Sequence, residues 1–310
     1  MSPGPQIPVP DNCTAVSLEC PVEGTVYGYY PSLGANAFFA AFFGLCALLQ
    51  LAFGIKYKTW TYMIALVLGC AGECAGYVGR VLLHNNPYDE TGFQIQIVLL
   101  IFCPAFLAAG IYLTLKHVVL SFGEEWSRLR PSWYTYIFIA CDISSLVLQS
   151  VGGGVAATAD DSDRKALDAG TDIMIAGIIW QVIVLVVFAA FATEYAIRTY
   201  RRRDQLSASA SSLLSSMRFR LFAASVIVAY IGILIRCVYR IPELVEGWGS
   251  DMMRQEGEFI ALEGVMIVIT VAAQTIFHPG YCFPALASTF GKKGQKSISE
   301  SDVEMMEPRS

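Results

Sequence analysis

Residues 60–83 read WTYMIALVLGCAGECAGYVGRVLL, a stretch in which Glu73 and Arg80 are the only charged side chains. About 20 predominantly apolar residues suffice for a helix to cross the hydrocarbon core of a bilayer, so this stretch predicts a membrane span. Working outward along the chain, six more blocks qualify: 33–53, 93–115, 132–157, 171–192, 221–239 and 259–277. Together they predict an all-α polytopic membrane protein, a bundle of seven transmembrane helices. Composition agrees. Of 310 residues, 55% are hydrophobic and 15% charged, with a mean hydropathy of +0.52, whereas soluble domains carry about 25% charged residues. A transmembrane β-barrel calls for short alternating strands, a pattern absent here.

An odd number of spans places the termini on opposite sides. The loops after spans one, three and five, with the tail, hold fifteen of the 21 Lys and Arg residues, and the opposite loops hold only Arg164, Lys165 and Arg254. The positive-inside rule then predicts an amino terminus outside and a carboxyl terminus in the cytosol. Three regions follow: an extracytosolic segment 1–32, rich in Pro and Gly and expected to be largely disordered, a membrane domain 33–283, and a disordered cytosolic tail 284–310. In the first region Asn12-Cys13-Thr14 is a glycosylation sequon at Asn12. Cys13 and Cys20 share that segment and could pair in an oxidising compartment. The tail carries Ser297, Ser299 and Ser301 among acidic residues, a setting suited to phosphorylation.

Ionisable residues inside spans are costly to insert, at roughly 2.5–3.5 kcal/mol each, and normally face the bundle interior. Span two carries Glu73 and Arg80 on one face with Gly69, Gly72, Gly76 and Gly79, where small residues let a neighbouring backbone approach. Asp142, Ser145, Gln149 and Gly152 recur at helical spacing in span four, and Ser225, Ala229, Gly232, Arg236 and Arg240 in span six. Span seven aligns Glu263, Thr270 and Gln274; span three offers Gln94, Gln96 and a kinking Pro104; span five has Asp172 and Gln181. Under the predicted orientation, Arg80, Gln94, Gln96, Gln149, Asp172, Arg236, Arg240 and Glu263 fall in the outer half of the bilayer. Glu73, Asp142 and Gln181 lie near its midplane. Two arrangements are open: cross-helix ion pairs that hold the bundle together, such as Arg236 with Glu263, or a polar cavity that opens outward and takes a ligand. So many polar groups in one leaflet favour the cavity.

Several classes are excluded on residues. A retinal protein needs a Lys in its last span, and all seven Lys lie outside the spans. Spans three and seven end in Leu115-Lys116-His117 and His278-Pro279-Gly280, unlike rhodopsin-type receptors. Of the three His, His84 falls on the outer side and His117 and His278 at the cytosolic edge, so no metal site of hydrolase type is expected. Nucleotide-binding and nucleophile-elbow motifs are missing, so neither an enzyme nor a cofactor is expected. A net charge of −5 gives no reason to expect nucleic acid.

The ordered motifs resemble those of the fungal RTA-like family, the lipid-translocating exporters linked with resistance to aminocholesterol and sphingoid bases. The matching pieces are Tyr30-Pro31-Ser32 with Asn36, Glu73-x-x-Gly76-Tyr77-x-x-Arg80, Gln96 with Pro104-Ala105-Phe106, and Asp142-x-x-Ser145-x-x-x-Gln149-x-x-Gly152-Gly153. Gly177-x-x-x-Gln181, Arg236-x-x-Tyr239-Arg240-x-x-Glu243, Glu263 and His278-Pro279-Gly280 continue the series. The family's loop after span six is matched only approximately, by Glu243, Gly247 and Gly249. The resemblance implies transport, efflux or sensing of amphipathic molecules at the fungal plasma membrane, with an amphipathic lipid and the bilayer as partners. On that expectation Glu73, Asp142 and Glu263 attract an ammonium head, Gln149 and Gln181 meet hydroxyls, and Arg80, Arg236 and Arg240 balance charge. The alternative is a lipid or stress receptor signalling through its cytosolic loops.

Overall fold

In hydrocarbon every backbone N–H and C=O must be satisfied within its own segment, so long apolar stretches become helices. The computed structural model describes residues 13–158, 164–247 and 249–282. Its seven spans are α1 Leu33–Tyr57, α2 Trp60–Asn85, α3 Glu90–Phe122, α4 Pro131–Thr158, α5 Arg164–Arg201, α6 Met217–Val245 and α7 Glu256–Cys282. All seven predicted spans are present, and no strand occurs among the described residues. Several helices outrun their apolar windows. α5 has 38 residues, about 57 Å at helical rise, because a helix does not stop where hydropathy falls. A short helix, Ala208–Ser215, joins α5 to α6.

The helices pack in chain order around a ring, with α7 returning to α1 and α3 meeting α6 across the middle. α1 ends on Lys58, whose left-handed φ of 56° lets its N–H reach the carbonyls of Gly54 and Ile55. Asp89 caps α3 by accepting from the Gly92 N–H at 3.0 Å. At two crossings only glycine fits. A Cβ on Gly79 would lie 2.8 Å from the Gly92 carbonyl oxygen, and one on Gly152 would lie 2.5 Å from that of Gly170. These contacts seat α2 on α3 and α4 on α5.

Aromatic side chains fill the interior, with Phe39 and Phe43 against Tyr77 and with Tyr112, Phe138 and Phe188 together. Leu45, Leu48, Ile143, Val147, Val186, Ile227 and Ile231 point outward instead. Such outward apolar faces suit lipid, which competes with no hydrophobic core.

Residues 13–32, expected to be largely disordered, are instead a packed strap across the end of the bundle where α1 begins. A disulfide joins Cys13 and Cys20. The Tyr88 hydroxyl donates to the Pro21 carbonyl at 2.8 Å, the Asn86 amide to Thr14, and Arg254 Nη2 to Glu23. Within the strap, Thr25 and Tyr27 are buried. The composition of the strap is that of a loop; its order comes from contacts with α2, α3 and the α6–α7 turn. Asn12, the rest of the amino-terminal segment and the tail 284–310 lie outside the described residues.

Candidate functional site

Arg236 of α6 is the centre of the buried polar network, 1% exposed. Its Nη1 donates to Glu73 Oε1 of α2 at 2.7 Å, and its Nη2 to Glu263 Oε1 of α7 at 3.0 Å. Nη2 also donates to the Leu100 carbonyl of α3. That carbonyl is free for a reason visible in the sequence: its helical partner would be the N–H of residue 104, and Pro104 has none. Pro104 therefore prepares a backbone acceptor for a guanidinium from another helix.

One turn further along α6, Arg240 donates from Nη2 to Glu263 Oε1 at 2.5 Å and from Nη1 to Glu243 Oε2 at 2.9 Å. Glu263 thus serves two guanidiniums. It lies in a stretch of π-helix, Phe259–Val265, a distortion that recurs at functional sites. Arg80 completes the charged set nearer the strap. Its Nε donates to Asn36 Oδ1 and its Nη2 to the Tyr29 hydroxyl, each at 3.1 Å. Its guanidinium lies 3.8 Å over the Phe259 ring and 3.9 Å from Glu256. Glu256 in turn accepts from the Ser32 N–H. Gln96 donates to the Tyr27 hydroxyl at 2.5 Å. Burial pushes the Tyr27 hydroxyl up to about 12, against the pull of Arg80 and Gln96, so it stays protonated at neutral pH.

A second, uncharged group joins α4 to α5. Gln149 donates to Ser145 Oγ at 2.7 Å and to Gln181 Oε1 at 3.3 Å, while Ser145 donates to the Gly177 carbonyl. Asp142, 3% exposed, is one helical turn away on α4 beside Tyr112 of α3. The two groups meet at a chamber of about 20 Å³ between α3, α4, α5 and α6, lined by Pro104, Gln149, Ile178, Gln181, Arg236 and Arg240 among others. That is room for one water molecule. At the far end the interior is polar but uncharged, with Gln50 donating to Thr275 and His278 among Phe53, Tyr57 and Tyr62. No group of three metal-ligating side chains occurs among the described residues.

All nine candidate residues are thus buried at the network or beside it: Glu73, Arg80, Gln96, Asp142, Gln149, Gln181, Arg236, Arg240 and Glu263. Gln94 and Asp172 are exposed and join neither group. The open cavity expected from the sequence is closed here, because the polar groups partner one another and the strap covers their mouth. Both readings of Arg236 and Glu263 meet in this geometry: they are an ion pair, and they border the chamber. Tyr27, Tyr29, Glu256 and the Leu100 carbonyl were not singled out from the sequence. Only Pro104 signalled one of them, through the acceptor it leaves free.

The chain matches the family described as "RTA1 like protein" over residues 66–286. It is 30% identical over 285 residues to "Sphingoid long-chain base transporter RSB1" of Saccharomyces cerevisiae, covering 83% of this chain and 74% of that relative. With "Protoporphyrin uptake protein 1" of the same organism it shares 28% identity over 224 residues, 69% of this chain and 67% of the relative. With "Protein RTM1", also from that yeast, it shares 26% over 241 residues, 75% and 71% of the two chains. No solved structure matches the chain. The seven spans, the ordered polar motifs and these similarities together make the chain a member of the RTA1-like family of membrane proteins.

Proposed function

We propose that this protein translocates single-chain amphipathic lipids bearing an amine and hydroxyls, of the long-chain-base type, across the membrane it spans. The observation that carries the reading is the chamber at membrane depth where the amides of Gln149 and Gln181 meet the guanidiniums of Arg236 and Arg240. A head group entering between the α4–α5 pair and the rest of the ring meets amide oxygens able to accept from its ammonium and guanidiniums able to donate to its hydroxyls, while its tail stays among the outward apolar side chains. The similarity to a relative named as a sphingoid long-chain base transporter supports the substrate class. The excess of Lys and Arg in alternate loops supports a strap on the extracytosolic side. The lids are then the Tyr27–Gln96 and Tyr29–Arg80 contacts on one side and the Gln50–Thr275 layer on the other.

Purified protein in vesicles, with no other component, should raise the flux of a fluorescent long-chain base above that of protein-free vesicles. Saturable binding with no added flux would favour a receptor. Absence of both would remove the lipid reading.

A further inference from the structure

A hollow much larger than the central chamber lies on the outward face of α5, at the end opposite the strap. This open groove of about 540 Å³ is lined by Ala189, Ala190, Thr193 and Ile197 and ends at Arg198 and Arg201. Its depth follows from the sequence: the apolar block of this span stops at residue 192, so the groove crosses from hydrocarbon into the head-group layer. The small side chains make room, and exposed Ile183, Val186 and Val187 continue the apolar face toward the middle of the span. The polar end is short of anions. Glu194 is its one carboxylate, and two guanidiniums already share it, with Arg128 Nη2 at 2.8 Å and Arg198 Nη2 at 2.5 Å from its Oε1. Arg198 also donates from Nη1 to the Trp126 carbonyl at 3.4 Å, which holds it beside the groove. Arg201 is exposed and pairs with no carboxylate among the described residues. The excess persists in a wider count. Over the turns 124–130 and 201–205, together with Glu194 and Arg198, six Arg face four Asp or Glu. The helix dipole accounts for cations in a last turn, but not for an apolar groove that leads to them.

We propose that this groove seats an anionic glycerophospholipid of the leaflet in which α5 ends, its phosphate between Arg198 and Arg201 and one acyl chain along Ala190 and Val187. A guanidinium matches a phosphate through paired N–H donors and stays charged at any physiological pH. A soluble phosphate would use the basic end alone and leave the apolar floor uncovered, whereas a lipid uses both. Clusters of Arg immediately beside a membrane helix suit anionic head groups for the same electrostatic reason. The site is separate from the central chamber, whose α5 residues Ile178 and Gln181 lie nearer the other end of the helix. Because Arg128 and Trp126 come from the turn before α4, a lipid held here braces α5 against that turn.

The test is native mass spectrometry of the full chain in detergent, titrated with dioleoyl phosphatidylserine or dioleoyl phosphatidylcholine. Phosphatidylserine should bind about fivefold more tightly than phosphatidylcholine, and Arg201→Gln should remove about that factor, the worth of one cation near the head groups. Arg202→Gln removes the same charge from outside the groove and should change affinity by less than about twofold. Ala190→Trp fills the groove and should weaken phosphatidylserine binding. All three positions are exposed, so the variants should melt as the parent does. Equal affinity for the two lipids, or equal losses in Arg201→Gln and Arg202→Gln, overturns the site in favour of diffuse surface charge. Unchanged binding in Ala190→Trp overturns the seat of the acyl chain. Displacement of phosphatidylserine by glycerol 3-phosphate at matched concentration overturns the lipid in favour of a soluble phosphate. The parent protein's lipid preference and this competition decide the matter if a variant fails to fold.

Discussion

Arg236 shows how much one side chain decides here. It joins α2, α3 and α7 from α6 through three acceptors, Glu73, the Leu100 carbonyl and Glu263. Removing it strands Glu73 in the interior and leaves Glu263 with Arg240 alone, and breaking a buried pair in this way costs about 3–5 kcal/mol. Glu243 sits at the edge of the network, and without it Arg240 keeps Glu263. Arg236→Ala should therefore lower the melting temperature of the solubilised protein far more than Glu243→Gln does. Equal losses would mean that the network is not organised around Arg236. Glu73, Arg236 and Glu263 were legible in the sequence as polar residues on helical faces. Their pairing was not, because a helical phase says which way a side chain points and nothing about what waits there.

Elements are set by backbone approach as much as by hydropathy. α4 and α5 touch at Gly152 and Gly170, where a Cβ on the first would lie 2.5 Å from the carbonyl oxygen of the second. Two residues on, Gly154 has nothing within 4 Å of its ideal Cβ position. Gly152→Ala should therefore force the helices apart, loosening the Gln149–Gln181 contact and lowering thermal stability and flux. Gly154→Ala should be neutral or stabilising by up to about 1 kcal/mol, since Ala favours helix over Gly. Melting curves of the two variants decide it, and a loss at Gly154 as large as at Gly152 would refute the close crossing. The sequence shows two glycines of the same type; only packing separates the obligatory one from the free one. Pro104 is the converse case. Its missing N–H is certain from its chemistry, but the use made of the exposed carbonyl depends on α6.

At the scale of the whole molecule the loops on the two sides of the bundle differ in their content of Lys and Arg. The Lys and Arg distribution predicts that the strap side is extracytosolic. An impermeant label on intact cells should reach a reporter at Asp89 and miss one at Arg202, both in turns that interrupt spans. Labelling of Arg202 alone would invert the orientation and place the strap in the cytosol. The sequence by itself determined the seven spans, their order and the faces on which charge lies. Each of these follows from local properties: apolar length, the need to satisfy the backbone in hydrocarbon, and the helical repeat. Tertiary structure alone decided that the polar faces close on one another, that residues 13–32 form a strap, and that a chamber separates α4 and α5 from the ion pairs. Those outcomes rest on partners far apart in the chain, 163 residues in the case of Arg236 and Glu73. Whether two such groups meet depends on how every intervening helix packs, and no local pattern contains that information.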